Sequence, residues 1–191
     1  MENPVIAAAA RRRSVYDLGK ALPFPEDRVR EILEAAVWNA PSSYNSQGAR
    51  VLLLLEARHE AFWDYAARRA GGAMAERMAG FRAACGSILF FEDQDTLARL
   101  QSEHPRGAEV FPAYSLQSSG MLQFAVWTAL AWEGLGANLQ HFNAWADEWA
   151  AAEGLSKPSW KSMAQLVFGE KRAEPGEKDR LPLGERLKVA R

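Results

Sequence analysis

Residues 117–143 read QSSGMLQFAVWTALAWEGLGANLQHFN, and this stretch governs how the rest of the chain is read. From about Ser119 to Glu133 it is strongly apolar, through Met121, Leu122, Phe124, Ala125, Val126, Trp127, Ala129 and Leu130. The run is too short, and too closely flanked by polar residues, to span a bilayer. Its apolar residues fall on more than one side of a helix, which predicts a helix buried nearly all round, in a core or in a dimer interface. Gly134 and Gly136 end it, and Ala137 to His141 then reads as a strand or a loop edge.

Upstream, Asn3-Pro4 before Val5 to Ala10 has the form of a capped helix with proline at its first position. Pro25-Glu26-Asp27 opens a second helix, with apolar residues at Val29, Ile32, Leu33, Ala36 and Val37. That helix should stop near Asn39, because the residue before Pro41 resists helical geometry. Val51 to Leu55 is a continuous apolar run, the pattern of a strand covered on both faces. His59 to Arg69 is helical in character. Ser87 to Phe91 is a second short apolar strand, and Asp95 is placed to cap a helix from Thr96 to Gln101. Downstream of the central stretch, Trp145 to Glu153 reads as helix and Met163 to Phe168 as strand. The tail after Gly169 is rich in charge, glycine and proline, which predicts an extended segment suited to gripping another subunit. Helices alternate with short strands, so the class is α+β around one central sheet, in one domain spanning 1–191.

Bulk properties exclude several roles. The 191 residues carry a net charge of −1, which gives no general attraction to nucleic acid or to a membrane surface. The N-terminus has no long apolar run of the secretory kind, so a cytoplasmic protein is expected. Cys85 is the only cysteine, which rules out an intramolecular disulfide and a cysteine-based metal site. His59, His104 and His141 are scattered without metal-ligand spacing, so no metal is expected. Neither a Walker A loop nor a G-x-S-x-G elbow is present. Gly134 to His141 lacks the G-x-G-x-x-G spacing of a dinucleotide site and follows a helix rather than opening one.

Four segments remain as candidates for chemistry. Arg11, Arg12, Arg13 and Ser14 are either a favourable charge cluster at a helix end or a phosphate clamp, since the guanidinium fork matches phosphate oxygens. Pro41 to Gln47 is either a surface turn or a loop presenting Ser42, Ser43 and Asn45 to a polar ligand. His141 is either a structural histidine or part of a site. Lys178 and Arg180, two apart in an extended tail, project to one side, for solubility or for an anion.

Taken in order and spacing, RRRSVYDLGK (11–20), APSSYNSQGARV (40–51), ILFFEDQD (88–95), the 117–143 stretch and QLVFGEKRAEPGEK (165–178) resemble the nitroreductase family over nearly the whole chain. The likeness is nearest to its small branch, the fatty-acid-repression-mutant type. The resemblance implies a nitroreductase-like α+β fold, with a central mixed or antiparallel sheet, flanking helices and an extended C-terminal tail that reaches a dimer partner. It implies a homodimer holding FMN at the subunit interface. Arg12, Arg13 and Ser14 would hold the phosphate and ribityl end, with Lys178 and Arg180 as the second basic pair. Pro41, Ser42, Ser43 and Asn45 would come from the other subunit. Leu139, Gln140 and His141 would lie against the isoalloxazine, with a backbone N–H facing flavin N5. No side chain is expected to be a catalyst in its own right, because the flavin carries the chemistry. The implied activity is NADH- or NADPH-dependent reduction of small nitroaromatic or quinone-type acceptors by ping-pong hydride transfer. A flavin reductase on the same fold and a flavin-binding regulatory protein with little turnover are the alternatives. Tyr16 stands where larger members carry a basic residue.

Overall fold

The computed structural model describes residues 3–191. Its centre is β3 (Gly86–Asp93), which pairs antiparallel with β2 (Ala49–Leu55) on one side and β5 (Trp160–Lys171) on the other. The far side of β5 takes β4 (Gly136–Gln140) and then β1 (Leu18–Gly19), both antiparallel. Alternation along β3 sorts its side chains between two cores. Leu89 and Phe91 point to one face, where α3 (Glu56–Ala70), α4 (Gly72–Arg82) and α7 (Asn143–Ala152) cover them with Phe62, Trp63, Met78, Phe81 and Trp149. Ile88 and Phe90 point to the other, beneath α2 (Asp27–Asn39) and α6 (Phe111–Trp132), which supply Val29, Ile32, Leu122, Val126 and Leu130. Helices on both faces of one antiparallel sheet make this the α+β arrangement expected from the sequence.

Local signals place most elements. Asn3 caps α1 (Pro4–Arg11) by accepting from Val5 and Ile6 N–H. Helix α2 stops at Asn39, and Ala40 turns extended ahead of Pro41. Its start is less simple than proline-first: Pro25 lies outside the helix and its carbonyl accepts from Arg28 N–H. Helix α5 (Gln94–Glu103) is capped by Asp93, which accepts from Asp95 N–H, so the cap falls two residues earlier than expected.

Two expectations about burial are corrected. Strand β2 packs on both faces, Leu52 and Leu54 against one core and Val51, Leu53 and Leu55 against the other, but only Leu54 is fully buried, because β2 is the sheet edge and lies beside a groove under Leu33, Val37 and Trp38 of α2. Helix α6 is not buried all round within the chain. Ser118, Ser119, Leu122, Val126 and Leu130 form one buried stripe, while Leu116, Met121, Phe124 and Trp132 are exposed. The tail after Lys171 is extended, apart from the single turn α8 (Leu183–Arg186), and it exposes Leu181, Leu183, Leu187 and Val189. No helix among the described residues is long and apolar enough to cross a membrane.

Candidate active site

The basic segment leaves α1 and is stitched to β4. Arg12 ends the helix, its N–H still donating to Ala8 O, and the chain turns extended. Ser14 bridges Ala137 in parallel, Val15 N–H donates to Ala137 O at 2.9 Å, and the buried Asn138 amide donates back to Val15 O at 2.8 Å. Gly136 makes the approach possible, since a Cβ there would sit 2.7 Å from Leu18 Cδ2. The guanidinium groups then lie along α6: Arg11 stacks 3.9 Å over Trp132 and Arg12 4.3 Å over Trp127. Arg13 reaches the C-terminal tail and donates to Gly176 O at 2.6 Å. Lys178 follows two residues later and Arg180 four, both exposed.

Burial, and secondly the charge of Arg13, hold the Arg12 guanidinium below its ordinary pKa. Ten other basic side chains pair with carboxylates, but among the described residues Arg11, Arg12, Arg13, Lys178 and Arg180 form no ion pair. Arg12 and Arg13 are thus adjacent, half-buried cations without a carboxylate partner, an arrangement whose chemistry suits an anion.

The Pro41–Gln47 loop is a tight, strained unit elsewhere on the same chain. Tyr44, Asn45 and Gln47 adopt φ of 55°, 49° and 51°, a left-handed region that costs any residue with a Cβ. Ser42 Oγ accepts from Gln47 N–H, Ser43 N–H donates to Ser118 Oγ on α6, and Arg50 Nη1 donates to Gln47 O. Pro41 and Asn45 are exposed, and Ser42 and Ser43 half-buried. Tyr44 extends its ring outward, propped by His104 and Phe111.

The third segment divides by strand parity. Gln140 turns inward and donates to Asn138 Oδ1 at 2.7 Å, so its side chain is committed to the structure. Leu139 packs partly against the α6-side core, and His141 is exposed at the strand end. The next N–H, of Phe142, is taken by Gln165 Oε1 at 2.7 Å.

One chain therefore brings together Arg12, Arg13, Ser14, the 139–141 strand end and the tail at Gly176, but not the loop. The loop is tied to Ser118 and the basic segment to Trp127, nine residues further along α6, which is ~14 Å of helix. Sequence reading did not single out Trp127, Trp132 or Asn138 here. Rings in an apolar helix look like core, and nothing local distinguishes a buried asparagine. Cys85 lies outside this region, and burial pushes its thiol up to about 11, consistent with an inert packed residue. Among the described residues no cluster of three potential metal ligands occurs.

Comparison with known proteins gives the family. The Nitroreductase family model matches residues 9–170, from just before the basic segment to the end of the sheet. The chain belongs to the nitroreductase family. Membership makes it an oxidoreductase by family, and the relatives agree. It is 36% identical to nitroreductase FRM2 of Saccharomyces cerevisiae over 90% of each chain. Its fold is similar to nitroreductase CinD from Lactococcus lactis, solved in complex with chloramphenicol, with TM-score 0.92, 41% identity and coverage of 98% of this chain and 100% of CinD. CinD has also been solved with 4-nitrophenol and with nicotinic acid. A nitroreductase-fold protein from Desulfovibrio desulfuricans in complex with FMN superposes with TM-score 0.74 at 27% identity, covering 100% of this chain and 98% of that one.

Proposed function

We propose that the protein is an FMN-dependent NAD(P)H oxidoreductase of nitroaromatic or quinone-type acceptors, assembled as a homodimer whose two chains share each flavin site. The observation that carries this reading is the unpaired Arg12–Arg13 pair, with Arg13 holding the tail at Gly176, two residues before Lys178 and four before Arg180. Its donor set fits a phosphomonoester: forked guanidinium donors and the exposed Ser14 hydroxyl, with the nearby Glu174 paired to Lys171. The cluster lacks the glycine-rich turn that a second phosphate would require, which favours FMN over FAD. The FMN complex of the Desulfovibrio relative and the nitroaromatic complexes of CinD support the same cofactor and acceptor class.

When bound, the flavin supplies the redox chemistry, taking a hydride from a reduced nicotinamide and returning it to an acceptor. The chain's residues bind and orient. Arg12 and Arg13 hold the phosphate, with Arg12 braced against Trp127 so that its fork meets the ligand already ordered. Lys178 and Arg180 close over the same charge. Leu139 offers an apolar surface for a ring, and the backbone at Gln140 and His141 offers donors at a fixed strand end. The Gln140 side chain serves at one remove, by fixing Asn138 and through it the basic segment.

The dimer supplies what one chain leaves apart. Pro41, Ser42, Ser43 and Asn45 of a second copy would complete each site. The exposed apolar residues of α6, the open edge of β2 and the apolar tail give that copy three surfaces to bury. The experiment is spectral and then kinetic. Purified protein should be yellow, release FMN rather than FAD on denaturation, and be bleached anaerobically by NADH or NADPH. Turnover should follow with nitroaromatics and quinones. A protein that binds FMN but is not reduced would be a flavin-binding regulator, and one that reduces only free flavin would be a flavin reductase. A colourless protein that cannot be reconstituted would end the reading.

A further inference from the structure

Glu92 is an ionisable side chain with no role in the reading above and an unusual position. It continues the Ile88–Phe90 face of β3 to the point where the cofactor loop enters β2, and it is 4% exposed. Its Oε2 accepts from Ser115 Oγ of α6 at 2.9 Å. Its Oε1 is buried without a partner. The side chain lines a cavity with room for about one water, bounded by Ser43 and Ser46 of the loop, Gly48, Thr96 and Tyr114. A Cβ on Gly48 would come within 3.0 Å of Oε2, so the loop's exit lies directly on the carboxyl.

The surrounding charges do not neutralise it. Arg50 on β2 spends its guanidinium on Asp93 Oδ2 at 2.8 Å and on the carbonyls of Gln47 and Ala49. Asp93 is the next residue on β3 and repels a second charge. Lys161, opposite Glu92 on β5, is exposed. The polar side chains that α5 and α6 present to the cavity are Thr96, Tyr114 and Ser115, and neither helix adds a charge there. Burial pushes the carboxyl above its ordinary range; the Ser115 hydrogen bond and the Arg50 charge pull downward without reversing the shift, and Asp93 adds to it.

We propose that Glu92 is a positioning residue for the cofactor loop: a neutral carboxyl that donates from Oε1 into the cavity beneath Ser43 and Ser46, and that loosens the loop when it ionises. The proposal rests on the reading that this loop completes the flavin site. An unpaired carboxylate in that position is costly, and reorganisation falls on the loop because its neighbours are a sheet and a long helix. The loop's left-handed residues are stable only while the surroundings hold them.

The sign follows from linkage. With its pKa raised on folding, Glu92 contributes stability that is full below the unfolded carboxyl value and is lost as pH rises through the folded one. Cofactor affinity should fall over the same range. The test compares wild type with Glu92→Gln, which keeps the shape and a donor but does not titrate. FMN dissociation constants measured upward in pH from the ordinary carboxyl range should rise in wild type and rise less in the variant. Urea stability should decline with pH in wild type relative to the variant, and infrared titration should show a protonated-carboxylic-acid band that the variant lacks. Parallel pH profiles in the two proteins, or no such band in wild type at any pH above the ordinary carboxyl range, would overturn the proposal. If FMN binds neither protein, the flavin reading fails. The urea and infrared arms then decide the loop linkage alone, supporting it if the profiles diverge and overturning it if they run together.

Discussion

Lowering the pH from 7 to 5 should cost the fold about 2 kcal/mol through one buried side chain, His59. His59 is 1% exposed and sits between α3 and β3. Nε2 lies 3.1 Å from Phe81 O, a pure acceptor, so Nε2 carries the proton. Nδ1, 3.0 Å from Ser87 Oγ, must then accept from the Ser87 hydroxyl, which in turn accepts from Trp63 Nε1 at 2.9 Å. A proton on Nδ1 would put two donors on one hydroxyl oxygen and leave the hydroxyl proton without its acceptor. Burial lowers the pKa to about 4; the carbonyls of Phe81 and Arg82 and the charge of Glu60 oppose the fall, and Lys20 adds to it. Between 6.5 and 4 the unfolded chain takes up a proton that the folded chain refuses. Stability is therefore full above 6.5 and declines towards 4, by roughly 3 kcal/mol in all. Glu92 titrates with the opposite sign, so the quantity to measure is a difference. Urea unfolding of wild type and His59→Gln at pH 7 and pH 5 should show wild type losing about 2 kcal/mol more than the variant. Equal losses would refute the neutral, doubly satisfied imidazole.

The remaining predictions concern the site. Arg13→Ala should weaken FMN about tenfold to a hundredfold, by losing a charge-assisted contact and the hold on the tail, read by flavin fluorescence titration. Tyr44→Ala should raise KM for flat acceptors while leaving the rate of flavin reduction by nicotinamide unchanged in stopped flow, because the ring stands at the loop apex on a propped, strained backbone. His141→Ala should keep its flavin and lose roughly tenfold or less in turnover, since a true acid–base catalyst contributes ~100-fold or more. Phe124→Glu, on the exposed side of α6, should shift light-scattering mass towards the monomer and lower flavin content with it.

What the sequence reveals about this fold is uneven for physical reasons. Helix α1 announces itself through its cap and first-position proline, α2 through periodicity and the proline beyond its end, and β3 through an apolar run covered on both faces. Strand β2 carries the same kind of run, yet it lies at the sheet edge. An apolar run reports that a surface is to be covered and is silent on which chain covers it. Helix α6 raises the same ambiguity, with one stripe buried and the other bare. Strand β1, two residues long, and α4, whose apolar residues follow no clean stripe, left no signal to find. At the site, the basic segment and the tail were legible as cations, but their meeting at Gly176 depends on tertiary structure. Asn138 and Glu92 were opaque for a related reason: whether a polar side chain binds a ligand, braces a strand or sits unpaired is decided by residues more than twenty positions away.

The central claim is that each flavin site takes its phosphate clamp from one chain and its loop from the other. Co-expression of two differently tagged, singly disabled variants, Arg13→Glu and Asn45→Glu, followed by measurement of FMN content, tests it directly. Alone, each variant should bind little flavin. In a mixed dimer built as proposed, one site carries both lesions and the other carries none. A statistical mixture should then recover about a quarter of the wild-type sites, all of them in the doubly tagged dimer. Doubly tagged dimers that form and remain colourless would mean that clamp and loop come from the same chain, and would contradict the account.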